Sequence, residues 1–381
     1  AGRGLLFAAP NTGAHPRADA DPIAATNPCV TGDTRLATQY GLLPIRQLHE
    51  AGVPLQVTVD RRALGEEARG TVVRPAVPAF QTAPAAEVFR VTTQEGYEIT
   101  ATAWHDFYTA RGKLKLSDLQ VGDELLVQSG KGQFGQDGSE DLGCLLGLMT
   151  GDGHFTNRGL NQEAAVITLW NEERVLADTV AAFVNRVIGS MSATARVHRV
   201  SPVAVPERQS VFIRSTLLAR WLQGLGFTRE TKLQVPEVVW RGSEACVRGY
   251  LRGLFQTDGT VNTAPDSDTC SVRLTSVHRP LLREVQQLLA NFGVLSRIHS
   301  RRAAGDRMLP DGRGGRRAYP CQALFELIID GESRDVFMRD IGFLLPMKNE
   351  KYRQWAADKV LRKSQRFTAR ITSIEPAGIE P

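Results

Sequence analysis

Two aspartates and two lysines recur at matching places in two distant stretches of this 381-residue chain. Asp152 and Asp258 each precede a glycine, and Lys232 and Lys348 each close a Gly-Phe-x4-Lys pattern. Carboxylate oxygens are the hard ligands that Mg²⁺ prefers, and a lysine can offset the negative charge that develops on a phosphate. Two such pairs at one centre could stabilise both the attacking and the leaving oxygen in phosphodiester hydrolysis.

The elements that must position the aspartates are two predicted helices with glycines four residues apart. Such a stripe of glycines lets another backbone approach closely, so packing the helices glycine to glycine would bring Asp152 and Asp258 together. Each Asp-Gly is expected to end its helix, with the glycine as the C-terminal stop. The two patterns are Gly143-x3-Gly147-x4-Asp152-Gly153 and Gly249-x3-Gly253-x4-Asp258-Gly259.

The similarity between the two stretches continues beyond the glycines. After each Asp-Gly the order is a predicted strand, a helix, a basic stretch and a second helical segment that ends before the Gly-Phe-x4-Lys pattern; in the second copy that segment is ALFELIIDGESRDVFMRD. A single Asp-Gly after an apolar run is usually only a turn. Two copies in one register, about 100 residues apart, indicate an internal duplication with pseudo-twofold symmetry.

By these residues the segment from 137 to 360 resembles the LAGLIDADG homing endonucleases of the single-chain, two-motif kind. The resemblance implies two αββαββα halves that act on double-stranded DNA. It also implies that Asp152 and Asp258 hold a divalent metal, usually Mg²⁺, and that Lys232 and Lys348 flank the site. An alternative is a DNA-binding regulator on the same scaffold that has lost cleavage. Retention of both aspartates and both lysines disfavours that alternative.

The charge distribution also favours DNA as the partner. The chain has 46 Lys and Arg against 41 Asp and Glu, a net charge of +5, and arginines are concentrated between residues 297 and 317. An isolated basic run is more often a solvated loop, but a second one stands at the equivalent place in the first repeat. Arginines at this density suit a hairpin lying along phosphates and base edges. The candidate DNA-binding residues are Arg196, Arg199, Arg297, Arg301, Arg302, Arg313, Arg316 and Arg317.

A different chemistry is indicated upstream, where Cys29 follows a proline-rich leader and opens a run of short predicted strands. Thr102-x2-His105 stands further on, and Leu116-Ser117-Asp118-Leu119-x2-Gly122-Asp123 follows it. This order resembles the Hint-type splicing domain of inteins over residues 29 to about 130. Cys29 would match the first intein residue, and Thr102 and His105 the motif that activates the upstream peptide bond. Taken alone, Cys29 would more often be a small buried apolar residue.

The intein resemblance implies acyl transfer within the chain. Cys29 would attack the carbonyl of Pro28 and convert the amide into a thioester. His105 would donate a proton to the departing amide nitrogen, and Thr102 would hold or polarise the same peptide. This chemistry needs no cofactor, and its partners are the flanking host segments in cis.

The two ends of the chain give further expectations. Ile23-Ala24-Ala25-Thr26-Asn27-Pro28 resembles a stretch of the ribonucleotide reductase large chain, and the resemblance favours the adenosylcobalamin-dependent class. We therefore interpret residues 1–28 as a remnant of the host protein. No asparagine occurs after Asn349, so the His-Asn pair that closes inteins is missing. Full splicing in cis is not expected.

The expected architecture is α+β, with a β-rich splicing domain interrupted by the endonuclease. The splicing domain would cover 29–130 and resume at 366–381, and the endonuclease repeats would cover 137–235 and 245–360. The five cysteines lack the C-x2-C spacing of a zinc site and show no disulfide framework. We expect a cytoplasmic monomer with no membrane span.

Overall fold

The computed structural model describes residues 29–157, 163–190, 199–264, 269–310, 314–357 and 364–381. The candidate residues Arg196 and Arg313, and the Pro28 carbonyl that precedes Cys29, lie outside these ranges. The described residues combine helices with antiparallel sheets, which confirms the α+β fold class. No helix in this part of the chain is both long and apolar enough to cross a membrane.

The first sheet is small and antiparallel, with the strand order β2-β1-β3-β4. A single helix packs on it, and Leu43, Leu48 and Leu55 form the shared core. A tight turn joins β1 to β2, and Gly41, the first residue of β2, has φ 103°, a conformation that favours glycine. The elements are β1 (Arg35–Thr38), β2 (Gly41–Pro44), α1 (Ile45–Ala51), β3 (Leu55–Asp60) and β4 (Thr71–Ala76).

The next strands belong to a second sheet that carries Thr102 at the end of one strand. Val88, Val91 and Thr93 of β5 are buried, and the residues between them are only half-buried. The strand therefore forms one wall of a core. The strands are β5 (Ala86–Thr93), β6 (Glu98–Thr102), β7 (Asp106–Thr109), β8 (Gly112–Lys115) and β9 (Glu124–Leu126).

The first of the two repeats begins with a helix whose N-cap, Ser139, accepts a hydrogen bond from the backbone N–H of Leu142. Its strands form an antiparallel sheet of order β10-β11-β13-β12, with the helices on one face. The elements are α2 (Glu140–Gly151), β10 (His154–Asn157), β11 (Glu163–Trp170), α3 (Ala177–Gly189), β12 (Val203–Val205), β13 (Ser210–Ser215), α4 (Thr216–Gly224) and α5 (Glu237–Trp240).

The second repeat has the same topology. Ser243 caps its first helix as Ser139 caps α2. The strand order β14-β15-β19-β16 matches the order β10-β11-β13-β12 of the first repeat, position by position. A hairpin, β17–β18, is inserted between β16 and β19. The elements are α6 (Glu244–Asp258), β14 (Gly259–Thr263), β15 (Cys270–Ser276), α7 (Arg279–Asn291), β16 (Arg297–Arg302), β17 (Gly305–Pro310), β18 (Arg316–Cys321), β19 (Leu324–Ile329), α8 (Gly331–Asp340) and α9 (Pro346–Ala356).

One sequence-based assignment was wrong in this repeat. The sequence predicts one helical segment over residues 323–340. In the structure its first part forms β19, and only Gly331–Asp340 is helical. The run Leu324–Ile329 is rich in β-branched and aromatic residues and pairs on both sides, with β15 and β16. Asp330-Gly331, with Gly331 at φ 55°, then turns the chain into α8.

The helices α2 and α6 lie against each other along their glycines. A Cβ added at Gly143 would lie 2.0 Å from the carbonyl oxygen of Cys246, and one at Gly253 would lie 2.3 Å from that of Cys144. Any side chain larger than hydrogen would therefore force the two backbones apart. The glycine stripe predicted from the sequence is the contact between the halves.

The chain returns to the second sheet of the splicing part after the endonuclease. β20 (Thr368–Glu380) pairs with β9 through Thr368↔Leu126 and with β5 from Ile371 to Glu380, giving the order β6-β5-β20-β9-β7-β8. The strand is 13 residues long. Leu295 of the endonuclease packs into the core beneath this sheet.

Candidate active sites

The paired helices end at the two aspartates. Asp152 is the C-cap of α2, and Asp258 is the last residue of α6. The glycines that follow are not left-handed stops, because Gly259 has φ −99° and Gly153 has no positive φ. They are required by close packing: a Cβ at Gly153 would lie 2.5 Å from the Met149 Cα, and one at Gly259 would lie 2.4 Å from the Phe255 oxygen.

The two carboxylates share one electrostatic environment. One side of the Asp258 carboxylate faces solvent and protein atoms surround the rest, so burial raises its pKa to about 6, with Asp152 as the next cause. Burial also raises the pKa of Asp152, and Lys232 and Lys348 oppose that shift. The fold has thus placed Asp152 close enough to Asp258 to disfavour ionisation of the Asp258 carboxyl.

The two lysines occupy equivalent positions at the helix ends. Lys232 Nζ donates to the carbonyl oxygens of Gly151, at 3.4 Å, and Gly153, while Lys348 Nζ donates to those of Gln256 and Gly259, the latter at 2.9 Å. Burial lowers the pKa of both lysines, and the aspartates oppose the shift. Each lysine therefore satisfies C-terminal carbonyls of its own half while its charge acts on both aspartates.

Sequence reasoning missed a third carboxylate at this centre. Glu173 lies in a 3₁₀ turn after β11, and its Oε1 accepts a hydrogen bond of 2.7 Å from the buried Nε2 of Gln256. Burial raises the pKa of Glu173, and Lys348 opposes the rise. Gln256 offered a signal, because it is a polar residue inside the apolar run of the second motif. Glu173 offered none, since it stands in an ordinary polar stretch of the other repeat.

The donor set at the helix ends suits a hard divalent cation. Asp152 and Asp258 supply carboxylate oxygens on a surface that is partly open to solvent. Within the described ranges, no group of three or more His, Cys, Asp or Glu side chains is arranged to hold a metal. Two carboxylates would leave the other coordination positions to water and phosphate, which is the environment that Mg²⁺ commonly retains.

The candidate arginines of the second repeat lie on β16 and the inserted hairpin. Arg297 forms an ion pair of 2.8 Å with Asp330, Arg301 lies 3.4 Å from Glu326, and Arg302 donates to the carbonyl oxygen of Gln322 at 3.5 Å. Arg297 and Arg301 are both exposed. These contacts hold the guanidinium groups of all three arginines in place.

The hairpin extends this basic surface. Arg316 and Arg317 are exposed on β18; Arg316 donates to the Met308 carbonyl oxygen at 3.1 Å, and Arg317 lies 6.0 Å from the Tyr319 ring centroid. Arg273, which the sequence reasoning did not select, forms an ion pair of 3.0 Å with Glu326.

The first repeat is less basic at the corresponding place. Arg199 is exposed in the segment before β12, and Arg208 ends the short 3₁₀ turn Pro206–Arg208. No inserted hairpin is present between β12 and β13, which are joined by that turn. The two halves therefore offer different surfaces around one symmetric centre.

The splicing motifs meet at the other end of the chain. The N–H of Thr102 donates to the carbonyl oxygen of Cys29 at 3.1 Å, and Val30 forms an antiparallel bridge with Ala101. These two backbone contacts hold Cys29, which is half-buried, beside the end of β6. The structure brings together residues that are more than seventy positions apart in the sequence.

Thr102 and His105 are buried polar groups beside Cys29. The backbone N–H of His105 donates to the Thr102 carbonyl oxygen at 3.0 Å, and the His105 and Phe107 rings pack edge to face with their centroids 5.0 Å apart. Among the described residues, neither the Thr102 hydroxyl nor the ring nitrogens of His105 have a hydrogen-bond partner. Burial lowers the pKa of His105 to about 4, against the effects of Asp106 and the Cys29 backbone. The imidazole is therefore neutral at pH 7.

A cavity of about 310 Å³ opens beside Cys29. Thr102 lines it on one side, and the segment between β4 and β5 lines it on the other. From that segment, Thr82 places its Oγ1 2.9 Å from the Sγ of Cys29. Arg46 and His49 of α1 also line this cavity.

Several known proteins are similar to parts of this chain. Residues 245–342 match the LAGLIDADG-like domain family. The match lies in the second repeat and supports a LAGLIDADG homing endonuclease domain there. The chain is 35% identical, over 398 aligned residues, to the ribonucleoside-diphosphate reductase NrdEB subunit alpha of Bacillus subtilis. That alignment covers 99% of this chain and 36% of the relative, so the chain spans about a third of that protein.

Two solved structures are also similar. A mesophilic variant of the homing endonuclease I-DmoI matches with a TM-score of 0.38 and 17% identity, covering 56% of this chain and 97% of that one. A mutant of the Ssp DnaB mini-intein matches with a TM-score of 0.24 and 20% identity, covering 29% of this chain and 65% of that one. The adenosylcobalamin-dependent class of the host stays a prediction.

Proposed function

We propose that the two glycine-packed repeats cleave double-stranded DNA at a specific site, and that the chain around them is an intein of a ribonucleotide reductase. One observation carries the nuclease proposal: Asp152 and Asp258 share a centre at paired helix ends, each with a lysine bound to the same helix end. A purely DNA-binding scaffold has no need to hold two carboxylates together against their mutual repulsion.

The residues of the centre have separate roles in this proposal. Asp152 and Asp258 would hold Mg²⁺, which when bound supplies Lewis-acid stabilisation of phosphate oxygens. Lys232 and Lys348 place positive charge beside the scissile phosphates and offset the negative charge that develops there. I-DmoI has been solved with its target DNA in the presence of Mg and with DNA and Mn, and we propose the same classes of partner here.

The decisive experiment compares binding and cleavage on one duplex that carries the uninterrupted reductase insertion site. Asp152→Asn and Asp258→Asn keep the size of each side chain and remove its charge, so cleavage in Mg²⁺ should fall by orders of magnitude while binding is kept. Lys232→Met and Lys348→Met should have weaker effects. Asp178→Asn, an exposed aspartate on α3, is the matched control and should cut like the parent.

Two results would contradict the nuclease. One is cleavage by Asp152→Asn and Asp258→Asn at the parental rate. The other is a parent that binds the duplex but never cuts it in Mg²⁺ or Mn²⁺, which would leave the DNA-binding regulator as the better interpretation.

We also propose that Cys29 performs the first step of splicing. The Sγ atom attacks the Pro28 carbonyl carbon, a C–S bond forms, the C–N bond to Cys29 breaks, and the thiol proton ends on the released amine. The buried Thr102 hydroxyl and the His105 ring support this step, because they stand beside Cys29 and none of their polar atoms has a hydrogen-bond partner among the described residues. With a pKa of about 4, His105 acts as a neutral N–H donor at pH 7.

Thiol-induced cleavage tests this step. Dithiothreitol should release a peptide ending at Pro28, Cys29→Ala should abolish the release, and His105→Ala should slow it strongly. His299→Ala, which changes an exposed histidine of β16, is the control and should behave like the parent. If mass spectrometry finds no Pro28-terminated peptide after long exposure to thiol, Cys29 is not the nucleophile.

A further inference from the structure

The segment of residues 77–85, between β4 and β5, is irregular and is fixed in place next to Cys29. The Nδ1–H of His49 donates to the carbonyl oxygen of Ala79 at 2.9 Å, which ties the segment to α1. Ala79 also packs against the small core that contains Leu43 and Leu48. This anchoring places Thr82 beside the sulfur, where the Sγ–Oγ1 distance is 2.9 Å.

A hydroxyl at this distance can act directly on the nucleophile. A hydrogen bond donated to sulfur favours the thiolate over the thiol, and the thiolate is the attacking species. It also fixes the χ1 angle of the cysteine and so the direction of attack. No feature of the sequence pointed to Thr82, which lies in a polar, proline-containing loop.

We propose that Thr82 is a positioning residue for the Cys29 nucleophile: its hydroxyl donates to Sγ and holds the sulfur toward the upstream carbonyl. This inference rests on the proposed acyl transfer at Cys29. Thr82 is exposed, so water competes with Cys29 for its hydroxyl. The anchor at His49 matters because it keeps the loop, and with it the Thr82 hydroxyl, next to the sulfur.

The first measurement is the rate of Cys29 alkylation by iodoacetamide as a function of pH, read by peptide mass spectrometry on the full chain. Thr82→Val keeps the shape and removes the hydroxyl, so the pH midpoint should move upward by roughly half a unit to one unit. Thr82→Ser should restore the parental midpoint. Thr228→Val, in the endonuclease, is the matched control, and the half-buried Cys321 is an internal reference that should not change.

The second measurement is the release of the Pro28-terminated peptide by dithiothreitol at pH 7. Release should slow about three- to tenfold in Thr82→Val and stay near parental in Thr82→Ser. Identical midpoints in the parent and Thr82→Val, or equal defects in the Val and Ser variants, would overturn the role of the hydroxyl. Absence of release from every protein would instead overturn the acyl transfer, and the alkylation midpoints would still decide whether Thr82 acts on the thiol.

Discussion

His105 shows how a single side chain links stability to chemistry. The imidazole is fully buried, and burial lowers its pKa to about 4. A histidine whose folded pKa is depressed contributes stability above its unfolded pKa, near 6.5, and loses it as the pH falls through the folded pKa. Between about pH 6.5 and pH 4 the unfolded chain therefore takes up a proton at His105 that the folded protein does not, and the free energy of unfolding falls.

Replacing His105 by Gln should flatten this part of the pH dependence. The parent should lose about 3 kcal/mol more stability than the variant between pH 7 and pH 4, because Gln has no proton to take up. Urea unfolding at pH 7, 5 and 4 measures the difference. His299→Gln, on an exposed histidine, should follow the parent; parallel curves for the parent and His105→Gln would mean that burial of the imidazole is not costly.

At the scale of single residues, the sequence identified candidate site residues but not the side chains that surround them in the fold. Asp152, Asp258 and the two lysines could be selected because duplication repeats them in register. Glu173 and Thr82 could not, since each is brought to its site by tertiary contacts, with Gln256 in one case and with the loop anchored on α1 in the other. A polar residue in a polar stretch carries no local mark of such a contact.

Among the elements, the α2–α6 contact is the most sensitive to change. A Cβ at Gly147 would lie 2.2 Å from the Tyr250 oxygen and 2.7 Å from the Leu254 nitrogen, both of them backbone atoms. Gly147→Ala should therefore cost about 3 kcal/mol and reduce cleavage by moving the helix ends apart. Thermal unfolding and the duplex assay measure the two effects.

Gly224 provides a matched control for this substitution. It ends α4, and a Cβ there would meet no atom within 4 Å. Gly224→Ala should be neutral or gain up to about 1 kcal/mol, because alanine is the better helix former. If Gly147→Ala is tolerated equally well, the helices are not in the close contact described above.

The β17–β18 hairpin should contribute affinity without contributing to cleavage chemistry. Replacing Arg316 and Arg317 by Ala should weaken binding and lower the slope of log affinity against log salt by about 2, since each phosphate contact contributes about 0.9. Arg339→Ala, on α8 behind the sheet, is the control. An unchanged salt slope would place the DNA elsewhere. Arg313 belongs to the same predicted group but lies outside the described residues.

The elements also show where periodicity was sufficient and where it failed. The glycine-striped helices and α7 follow from apolar spacing alone. β12 is only three residues long, and its strand character comes from pairing with β13 rather than from its own pattern. The helical interpretation of 323–340 failed for a related reason, because a short apolar run that is buried on both sides reads equally well as helix or strand.

On the scale of the whole molecule, the splicing part and the endonuclease are joined by more than two linkers. Arg283 of α7 forms an ion pair with Glu98 of β6, the strand that ends in Thr102. The N–H of Ile298 donates to the Glu95 carbonyl oxygen at 2.9 Å. Leu295 packs in the core under the splicing sheet.

This joint predicts coupling between the two parts. Arg283→Met leaves the buried Glu98 carboxylate without its cation, so it should destabilise the chain more than Arg283→Met combined with Glu98→Gln. A double-mutant cycle should give a coupling of about 1–3 kcal/mol. The exposed pair Arg353–Glu350 is the control and should couple by about 0.5 kcal/mol or less. Equal couplings in the two pairs would mean that the joint is an ordinary surface contact.

The late return of β20 to its sheet sets an order of events during synthesis. About 240 residues separate β9 from β20, so at 5–20 residues per second the ribosome needs roughly 10 to 50 seconds to supply the strand that lies between β5 and β9. During that interval the helix pair can fold, because its partners are already present. The two repeats would then fold first. Cys29 would remain on a nascent chain whose splicing sheet still lacks its central strand.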